Sequence, residues 1–123
     1  TVDSLMKLTK DYVALHHPFN QVYVVQKDLN DYYKLIERVK RMRGKRIVIV
    51  SASDCNGPED YNEILSQNRG KRIYKTLSAL SNNNIIIKNV GEKELFTDCN
   101  EKGNIKADQL ENRYSYVFIL DQK

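Results

Sequence analysis

The sequence lacks the features that mark several large classes of protein. No run of about 18 apolar residues occurs, so no segment is predicted to span a membrane. The N-terminal residues lack the basic, apolar and small-residue blocks of a secretion signal. The two cysteines, Cys55 and Cys99, form no Cys-x-x-Cys pair and have no set of histidine partners. We therefore predict no metal site, no dithiol redox motif and no cofactor.

Motifs of catalysis are missing as well. The chain has no nucleophile elbow, no glycine-rich phosphate loop and no cluster of metal ligands. Hydrolysis of the lysozyme type needs two facing carboxylates, and neither Glu59 nor Asp60 can be assigned that role. We predict that the protein is not an enzyme.

Positive charge is in slight excess, with 20 basic against 16 acidic residues and a net charge of +4. The densest basic cluster runs from Lys40 to Arg46, at the end of a predicted helix, where cations complement the helix dipole. Because acidic residues are interleaved along the chain, we interpret this cluster as a solvated helix end. A nucleic-acid partner is not predicted.

The chain is long enough for one domain with its own core, at 123 residues and 41% hydrophobic content. It begins with Thr1 and not with an initiator methionine. We therefore expect a mature segment from which a signal, a lipid anchor or a neighbouring domain has been removed.

Apolar periodicity divides the chain into helices and strands. Spacings of three and four in Val2–Leu15 predict an amphipathic helix that Pro18 ends. Val22–Val25 predicts a short first strand, and the continuous β-branched run Ile47–Val50 predicts a buried central strand. The remaining predicted elements are helices at Asn30–Gly44 and about Asn62–Leu80, a strand at Ile85–Val90, a helical turn near Ala107–Leu110 and a strand at Tyr114–Leu120.

This order of elements predicts an α/β (α+β) two-layer sandwich. Its topology is βαβαββ, with a mixed four-stranded sheet and helices on one face. Residues 1–19 are expected to form an N-terminal helical extension, and residues 20–123 the domain itself.

An arginine stands where the second long helix should be apolar. Leu65, Arg69, Ile73 and Leu77 recur every four residues and form one column on the helix. A guanidinium in such a column needs an acceptor, because an unpaired buried charge is costly. The nearest candidate is Asp54, which follows the central strand, where ligands usually bind in open α/β sheets.

Two interpretations of Asp54 and Arg69 remain open from the residues alone. They could form a structural ion pair. Alternatively, they could bind a zwitterion, with the Asp54 carboxylate taking an ammonium group and the planar Arg69 fork taking a carboxylate. A free amino-acid head group fits the second arrangement.

The segment Ser53–Ile73 resembles the signature of OmpA-like C-terminal domains. That signature reads Thr-Asp, two residues, Gly, four residues, Asn, two residues, Leu-Ser, two residues, Arg-Ala. The corresponding residues here are Ser53, Asp54, Gly57, Asn62, Leu65, Ser66, Arg69 and Gly70. Gly91-Glu92 and Asn112-Arg113 resemble two further elements of the family, and the resemblance covers roughly Asn20 to Leu120.

The resemblance implies a periplasmic, peptidoglycan-binding domain of an outer-membrane-associated protein. By position, Asp54 and Arg69 would hold the amino-acid head of meso-diaminopimelate in the stem peptide. Asn62, and further Leu65 and Ser66, would line the same pocket. Peptidoglycan is then the main partner, other envelope proteins are possible partners, and this segment does not insert into a membrane.

Two departures from the family pattern favour an alternative. Val24 follows Tyr23 where the family has Asp or Asn, and Tyr114 replaces the second arginine of an Asn-Arg-Arg element. If these changes have removed polar groups from the pocket, the domain would be a protein-interaction or structural module of an envelope complex with a decayed ligand site.

The resemblance also places Cys55 and Cys99 near one pocket. Cys55 follows Asp54 directly, and Cys99 lies in the long polar loop that the family places close by. A disulfide between them would suit an oxidising periplasm. Two free thiols remain the alternative.

Overall fold

A computed structural model describes residues 1–96 and 109–121 of the chain. Within these ranges the chain forms α-helices, β-strands and short 3-10 turns. In chain order the elements are α1 (Val2–Leu8), β1 (Tyr12–His16), a 3-10 turn (Gln26–Asp28), α2 (Leu29–Arg41), β2 (Lys45–Ala52), α3 (Glu59–Ser78), β3 (Asn84–Gly91), a second 3-10 turn (Leu110–Asn112) and β4 (Tyr114–Asp121).

The four strands form one mixed sheet in the order β1-β4-β2-β3. β2 and β3 are parallel, because α3 carries the chain back between them. β4 lies between β1 and β2 and is antiparallel to both. The predicted α+β fold with a mixed four-stranded βαβαββ sheet is therefore confirmed.

The centre of the sheet is buried on both faces. Every residue of β2 from Ile47 to Ala52 is buried. Ile47 and Ile49 belong to the apolar cluster under α2 and α3, whereas Val48 and Val50 belong to the cluster on the opposite face. Successive side chains of this one strand thus pack alternately into two apolar clusters. This explains the continuous apolar run in the sequence.

The helices divide between the two faces of the sheet. α2 contributes Leu35 and Val39 to one cluster, and α3 contributes Ile73 and Leu77 to the same cluster. α1 buries its apolar side against the other face, where it packs with Tyr114 and Phe118 of β4. The prediction that the helices of the domain cover one face is confirmed for α2 and α3, and α1, which was expected to be a separate extension, covers the opposite face.

The first strand lies ten residues before the predicted one. The helix predicted over Val2–Leu15 ends at Leu8, and Tyr12–His16 forms β1 along β4. The predicted strand Val22–Val25 is irregular loop instead. The hydrogen bonds that β1 makes with β4, about one hundred residues later in the chain, outweigh its local helical spacing.

This pairing also corrects the predicted boundary between residues 19 and 20. Leu15 of β1 is fully buried in the cluster beneath α2 and α3. α1 and β1 are therefore parts of the same fold, and residues 1–19 do not form a separate helical extension.

Gly70 marks a close approach between α3 and the sheet. A Cβ at this position would lie 2.8 Å from Cγ2 of Ile87 and 3.1 Å from Oγ of Ser51. Ile87 is β-branched, so its Cγ2 cannot swing away freely. The helix can contact β3 this closely only without a side chain, which explains why Gly stands where the signature has Ala.

We expect Gly70→Ala to lower the free energy of unfolding by about 1–2 kcal/mol. Overpacking a well-filled contact typically costs ~1–3 kcal/mol, against a gain of ~1 kcal/mol from helix propensity. Urea denaturation of Gly70→Ala and of Asn68→Ala, an exposed position on the same helix, provides the comparison. Equal stability of the two variants would contradict the close approach.

Candidate functional site

The candidate site lies where β2 ends and α3 begins. β2 ends at Ala52, α3 begins at Glu59, and Asp54 lies in the connecting turn. Gly57 has a φ of 89°, a left-handed conformation that glycine adopts easily, and Pro58 then precedes the helix. Because β2 is parallel to β3, its carboxyl end is the edge at which open α/β sheets usually bind ligands.

Asp54 is 4% exposed, and its carboxylate accepts hydrogen bonds from two donors. Its Oδ1 accepts a bond of 3.0 Å from the backbone N–H of Asn56, which closes the turn after β2. Its Oδ2 accepts a bond of 3.1 Å from Nη1 of Arg113, and these two side chains form an ion pair. The predicted ion-pair partner, Arg69, is not the one found.

Arg69 is fully buried, as its place in the apolar column of α3 predicts. Its guanidinium donates to three backbone carbonyls: Nε to Gln21 at 2.8 Å, Nη1 to Ala52 at 3.0 Å and Nη2 to Pro18 at 3.1 Å. Carbonyl oxygens therefore satisfy this charge in place of a carboxylate.

The pKa of Arg69 reflects this burial. Loss of hydration lowers the pKa to about 10, and the negative charge of Asp54 raises it in part, while the positive charge of Arg113 lowers it. Arg69 still carries its proton at neutral pH. The two arginines and Asp54 consequently act on one another electrostatically, although only Arg113 contacts the carboxylate.

The loop after β1 forms one wall of the site and is tied down by its carbonyl groups. Arg69 holds the carbonyls of Pro18 and Gln21, and Nδ1 of His17 bonds to the carbonyl of Tyr23 at 3.0 Å. The hydroxyl of Tyr61 on α3 donates to the side chain of Asn20. The loop thus has a defined position beside the turn that carries Asp54.

A chain of buried hydrogen bonds runs from this loop into the sheet. Nε2 of His17 lies 2.8 Å from Oγ of Ser115, which lies 2.6 Å from Oγ of Ser51. The carbonyl of Tyr23 can only accept, so Nδ1 carries the His17 proton and Nε2 accepts from Ser115. Ser51 then donates to Ser115. Burial, with the nearby positive charge of Arg69, lowers the pKa of His17 to about 3.

A cavity of about 210 Å³ opens between the loop after β1, the turn after β2 and the start of α3. Its lining includes Phe19, Asn20, Asp54, Tyr61, Asn62 and Leu65. Of the residues predicted for the site, Asp54, Asn62 and Leu65 line this cavity, whereas Arg69 and Ser66 do not.

Asn62 and Ser66 connect α3 to the end of β3. Nδ2 of Asn62 donates to Oε1 of Glu92 at 2.8 Å. Oγ of Ser66 donates to the carbonyl of Glu63 at 2.8 Å and accepts from the N–H of Gly91 at 3.1 Å. Both side chains therefore hold the helix against the Gly91-Glu92 element, and Asn62 also borders the cavity.

Sequence reasoning missed the contribution of four residues at this site. The sequence indicates no role for Arg113 beyond the Asn-Arg resemblance, and none for His17. Phe19 and Tyr61 line the cavity with 59% and 45% of their surfaces exposed, and neither was predicted to belong to the site. Two large aromatic side chains exposed beside a polar turn are a signal that could have indicated a binding surface.

Two further properties concern the described ranges 1–96 and 109–121 only. No helix there is both long and apolar enough to cross a bilayer. No group of three or more His, Cys, Asp or Glu side chains there could hold a metal ion. Cys99 lies outside these ranges, so its predicted disulfide with Cys55 stays a prediction, and part of the predicted turn near Ala107–Leu110 lies outside them too.

Comparison with known proteins finds similarity at the level of structure. No family model matches the sequence, and no curated protein matches it. The peptidoglycan-associated lipoprotein of Burkholderia pseudomallei superposes with a TM-score of 0.68 at 18% identity, over 88% of each chain. The cell wall anchor of the T6SS from Pseudomonas aeruginosa superposes with a TM-score of 0.66 at 13% identity, over 91% of this chain and 81% of the other.

A third structure is the OmpA-like domain of FopA1 from Francisella tularensis. It superposes with a TM-score of 0.59 at 15% identity, over 91% of this chain and 73% of the other. The chain has the OmpA-like fold. At these identities the similarity concerns the fold, and the site must be judged from its own residues.

The two departures from the OmpA-like pattern lie in the cores and not at the cavity. Val24 is buried in the cluster beneath α2 and α3. Tyr114 is buried in the cluster on the α1 face, where its hydroxyl donates to the carbonyl of Glu94 at 2.8 Å. Neither side chain is among the residues that line the cavity.

The lowered pKa of His17 predicts that the stability of the fold depends on pH. This pKa is about 3 in the folded protein and about 6.5 in the unfolded chain. Between these values only the unfolded chain binds the proton, so acidification favours unfolding. We expect the free energy of unfolding to fall by about 1.4 kcal/mol per pH unit below pH ~6.5, relative to a His17→Gln variant.

Urea denaturation of both proteins between pH 7 and pH 4.5 measures this difference. Carboxylates that titrate in the same range contribute equally to both proteins and cancel. Parallel stability profiles would show that His17 is not held neutral in the folded state.

Proposed function

We propose that this domain binds peptidoglycan non-covalently through the meso-diaminopimelate of the stem peptide and so anchors a cell-envelope protein to the wall. The observation that carries the proposal is the Asp54 carboxylate, which lines a cavity of about 210 Å³ and is paired with a guanidinium. Asp54 brings a negative charge into this cavity and the guanidinium beside it is a nearby positive charge, so the site suits an amino-acid head group with one charge of each sign.

Asp54 is the proposed partner of the ligand's ammonium group. Each carboxylate oxygen accepts one bond from the protein, from Asn56 or from Arg113, and retains capacity for another. Two fixed donors hold the carboxylate in one orientation before a ligand arrives, so less entropy is lost on binding. Charge-assisted hydrogen bonds to a desolvated carboxylate are worth roughly 1.5–3 kcal/mol each.

Apolar side chains at the mouth of the cavity suit the remainder of the ligand. Phe19 and Tyr61 expose large aromatic surfaces there, and the partly buried Leu65 also lines the cavity. The ring of Tyr61 is oriented by the bond from its hydroxyl to Asn20. The methylene chain of diaminopimelate and the methyl groups of neighbouring alanines could pack against these side chains.

The related structures support an anchoring role. Their names describe a peptidoglycan-associated lipoprotein, a cell wall anchor of a secretion system and an OmpA-like domain. We extend that role to this chain by proposal, together with a periplasmic location in an outer-membrane-associated protein and with envelope proteins as further partners. Binding rather than catalysis is proposed because, among the described residues, those that line the cavity with Asp54 include no second carboxylate and no serine, threonine or cysteine nucleophile.

Calorimetric titration with a diaminopimelate-containing stem peptide tests the proposal. We expect saturable binding to the wild-type domain and an affinity at least tenfold lower for Asp54→Asn, because the amide keeps the shape of the side chain and loses its charge. A stem peptide with lysine at the third position should also bind more weakly, since it lacks the carboxylate of the head group.

Asp31→Asn is the matched control, since Asp31 is an exposed acidic residue at the start of α2. It should bind as the wild type does. Absence of binding to the wild-type domain, together with no retention on isolated sacculi, would reject the proposal. The fold would then serve as an interaction module of an envelope complex.

We also propose that Cys55, which follows Asp54 in the sequence, forms a disulfide with Cys99. Such a bond closes a loop of more than forty residues and would stabilise the fold by ~3–4 kcal/mol in the chain-entropy model. Mass spectrometry of protein isolated from the periplasm and alkylated without reduction should show no labelled cysteine. Two labelled thiols would end this proposal.

A further inference from the structure

An arginine at the start of β2 has no acceptor for its guanidinium. Arg46 forms no hydrogen bond and no ion pair with the residues that the structure describes, and its Nε atom is fully buried. Buried side-chain donors nearly always have a partner, so an unpaired one needs an explanation. We propose that the cavity beside Arg46 is a docking site for an acidic, partly apolar segment of a partner protein, and that Arg46 binds a carboxylate of that segment.

The cavity has a volume of about 490 Å³ and combines this cation with apolar walls. Arg46 lines it together with Leu8, Ile119 and Leu120. Leu8 is 68% exposed at the end of α1, so its side chain is accessible to a partner. A concave site with apolar walls and one directed cation suits the side chains of a peptide better than the flat surface of a bilayer.

Two carboxylates line the same cavity, and each already has a cationic partner. The carboxylate oxygens of Asp11 accept bonds of 3.0 and 2.7 Å from the two Nη groups of Arg38. Asp121 accepts a bond of 2.6 Å from Nζ of Lys45. Among the described residues, Arg46 is therefore the cation of the lining that no carboxylate neutralises. A carboxylate brought by a ligand would supply the missing acceptor, and the planar fork of arginine can bind it through two parallel hydrogen bonds.

Positive charge is concentrated at this end of the molecule. Residues 38–46 contain six basic residues and no acidic residue. Their acidic partners are Asp11, Glu37 and Asp121, which leaves an excess of three positive charges out of the net +4 of the whole chain. A solvated helix end accounts for the cations that close α2, but Arg46 belongs to a strand. The excess charge would speed the encounter with an acidic partner and favour it over a basic one.

This cavity and the cavity beside Asp54 lie at opposite ends of β2. Arg46 is the second residue of the strand and Ala52 is its last, a separation of about 20 Å at ~3.3 Å per residue. A ligand held beside Asp54 therefore leaves the start of β2 accessible. The inference does not depend on the proposed function, and the two sites can be occupied at the same time.

NMR titration with defined peptides tests the docking site. The probe is a blocked hexapeptide of alternating leucine and aspartate. One comparison peptide has asparagine in place of aspartate, and the other has serine in place of leucine. We expect the wild-type protein to bind the probe at least about fivefold more tightly than either comparison peptide. The Nε–H signal of Arg46 should shift with the probe and not with the asparagine peptide, because only a carboxylate forms the charge-assisted bond.

Two variants separate a directed contact from general attraction between charges. Arg72 is an exposed arginine of α3 that does not line this cavity, so Arg72→Gln removes the same charge as Arg46→Gln. We expect the preference for aspartate over asparagine to be lost in Arg46→Gln and kept in Arg72→Gln. If Arg46→Gln fails to fold, Arg46→Lys replaces it. Lysine keeps the charge without the planar fork, so the preference should be reduced.

Several outcomes would overturn the inference. They are no binding of the probe, equal binding of the aspartate and asparagine peptides, and equal losses in Arg46→Gln and Arg72→Gln. Cosedimentation with phosphatidylglycerol vesicles, without binding of the probe, would also overturn it and would assign the positive charge to a membrane surface. Retention of Arg46→Gln on isolated sacculi should equal that of the wild type, so failure of this inference and failure of the proposed function are distinguishable.

Discussion

The buried charge of Arg69 is the constraint on which the candidate site depends. A guanidinium removed from water must meet acceptors, and the column of α3 that it shares with Ile73 and Leu77 offers none. The protein supplies carbonyl groups from two segments that are distant in the sequence, the loop after β1 and the end of β2. The irregular course of that loop is therefore useful, because regular strand pairing would have engaged the same carbonyls within the sheet.

A second set of buried hydrogen bonds joins the loop after β1 to the sheet. Ser51 and Ser115 are opposite each other in the register of β2 and β4, and together with His17 they continue the hydrogen bonds from the core to the loop. Hydroxyl groups in the middle of two buried strands are costly unless each has a partner. Neutral His17 provides that partner on one side and a donor to the Tyr23 carbonyl on the other. The same hydrogen bonds thus satisfy the buried serine hydroxyls of the sheet and fix the loop that forms one wall of the cavity.

The sequence predicted the elements whose signals are local. The β-branched run of β2, the alternation in β4 and the four-residue column of α3 each identify one element and its buried side. β1 has no comparable signal, because Leu5, Leu8, Tyr12 and Leu15 fit a helical spacing, and the strand exists only through its pairing with β4. In the same way, Val22–Val25 looks like a strand in isolation, but the end of β1 and the side chain of His17 bind that segment as a loop.

The site was predictable to the same degree, and for the same reason. The burial of Arg69 and its need for acceptors follow from the helical column, but the identity of those acceptors depends on how remote segments fold. A carboxylate at Asp54 was the simplest candidate, whereas backbone carbonyls satisfy a guanidinium equally well and carry no sequence signal. Asp54 was then free to pair with Arg113, which approaches from the other end of the chain. A signature thus specifies which residues share a neighbourhood, and the contact that each one makes depends on the groups that the rest of the fold brings beside it.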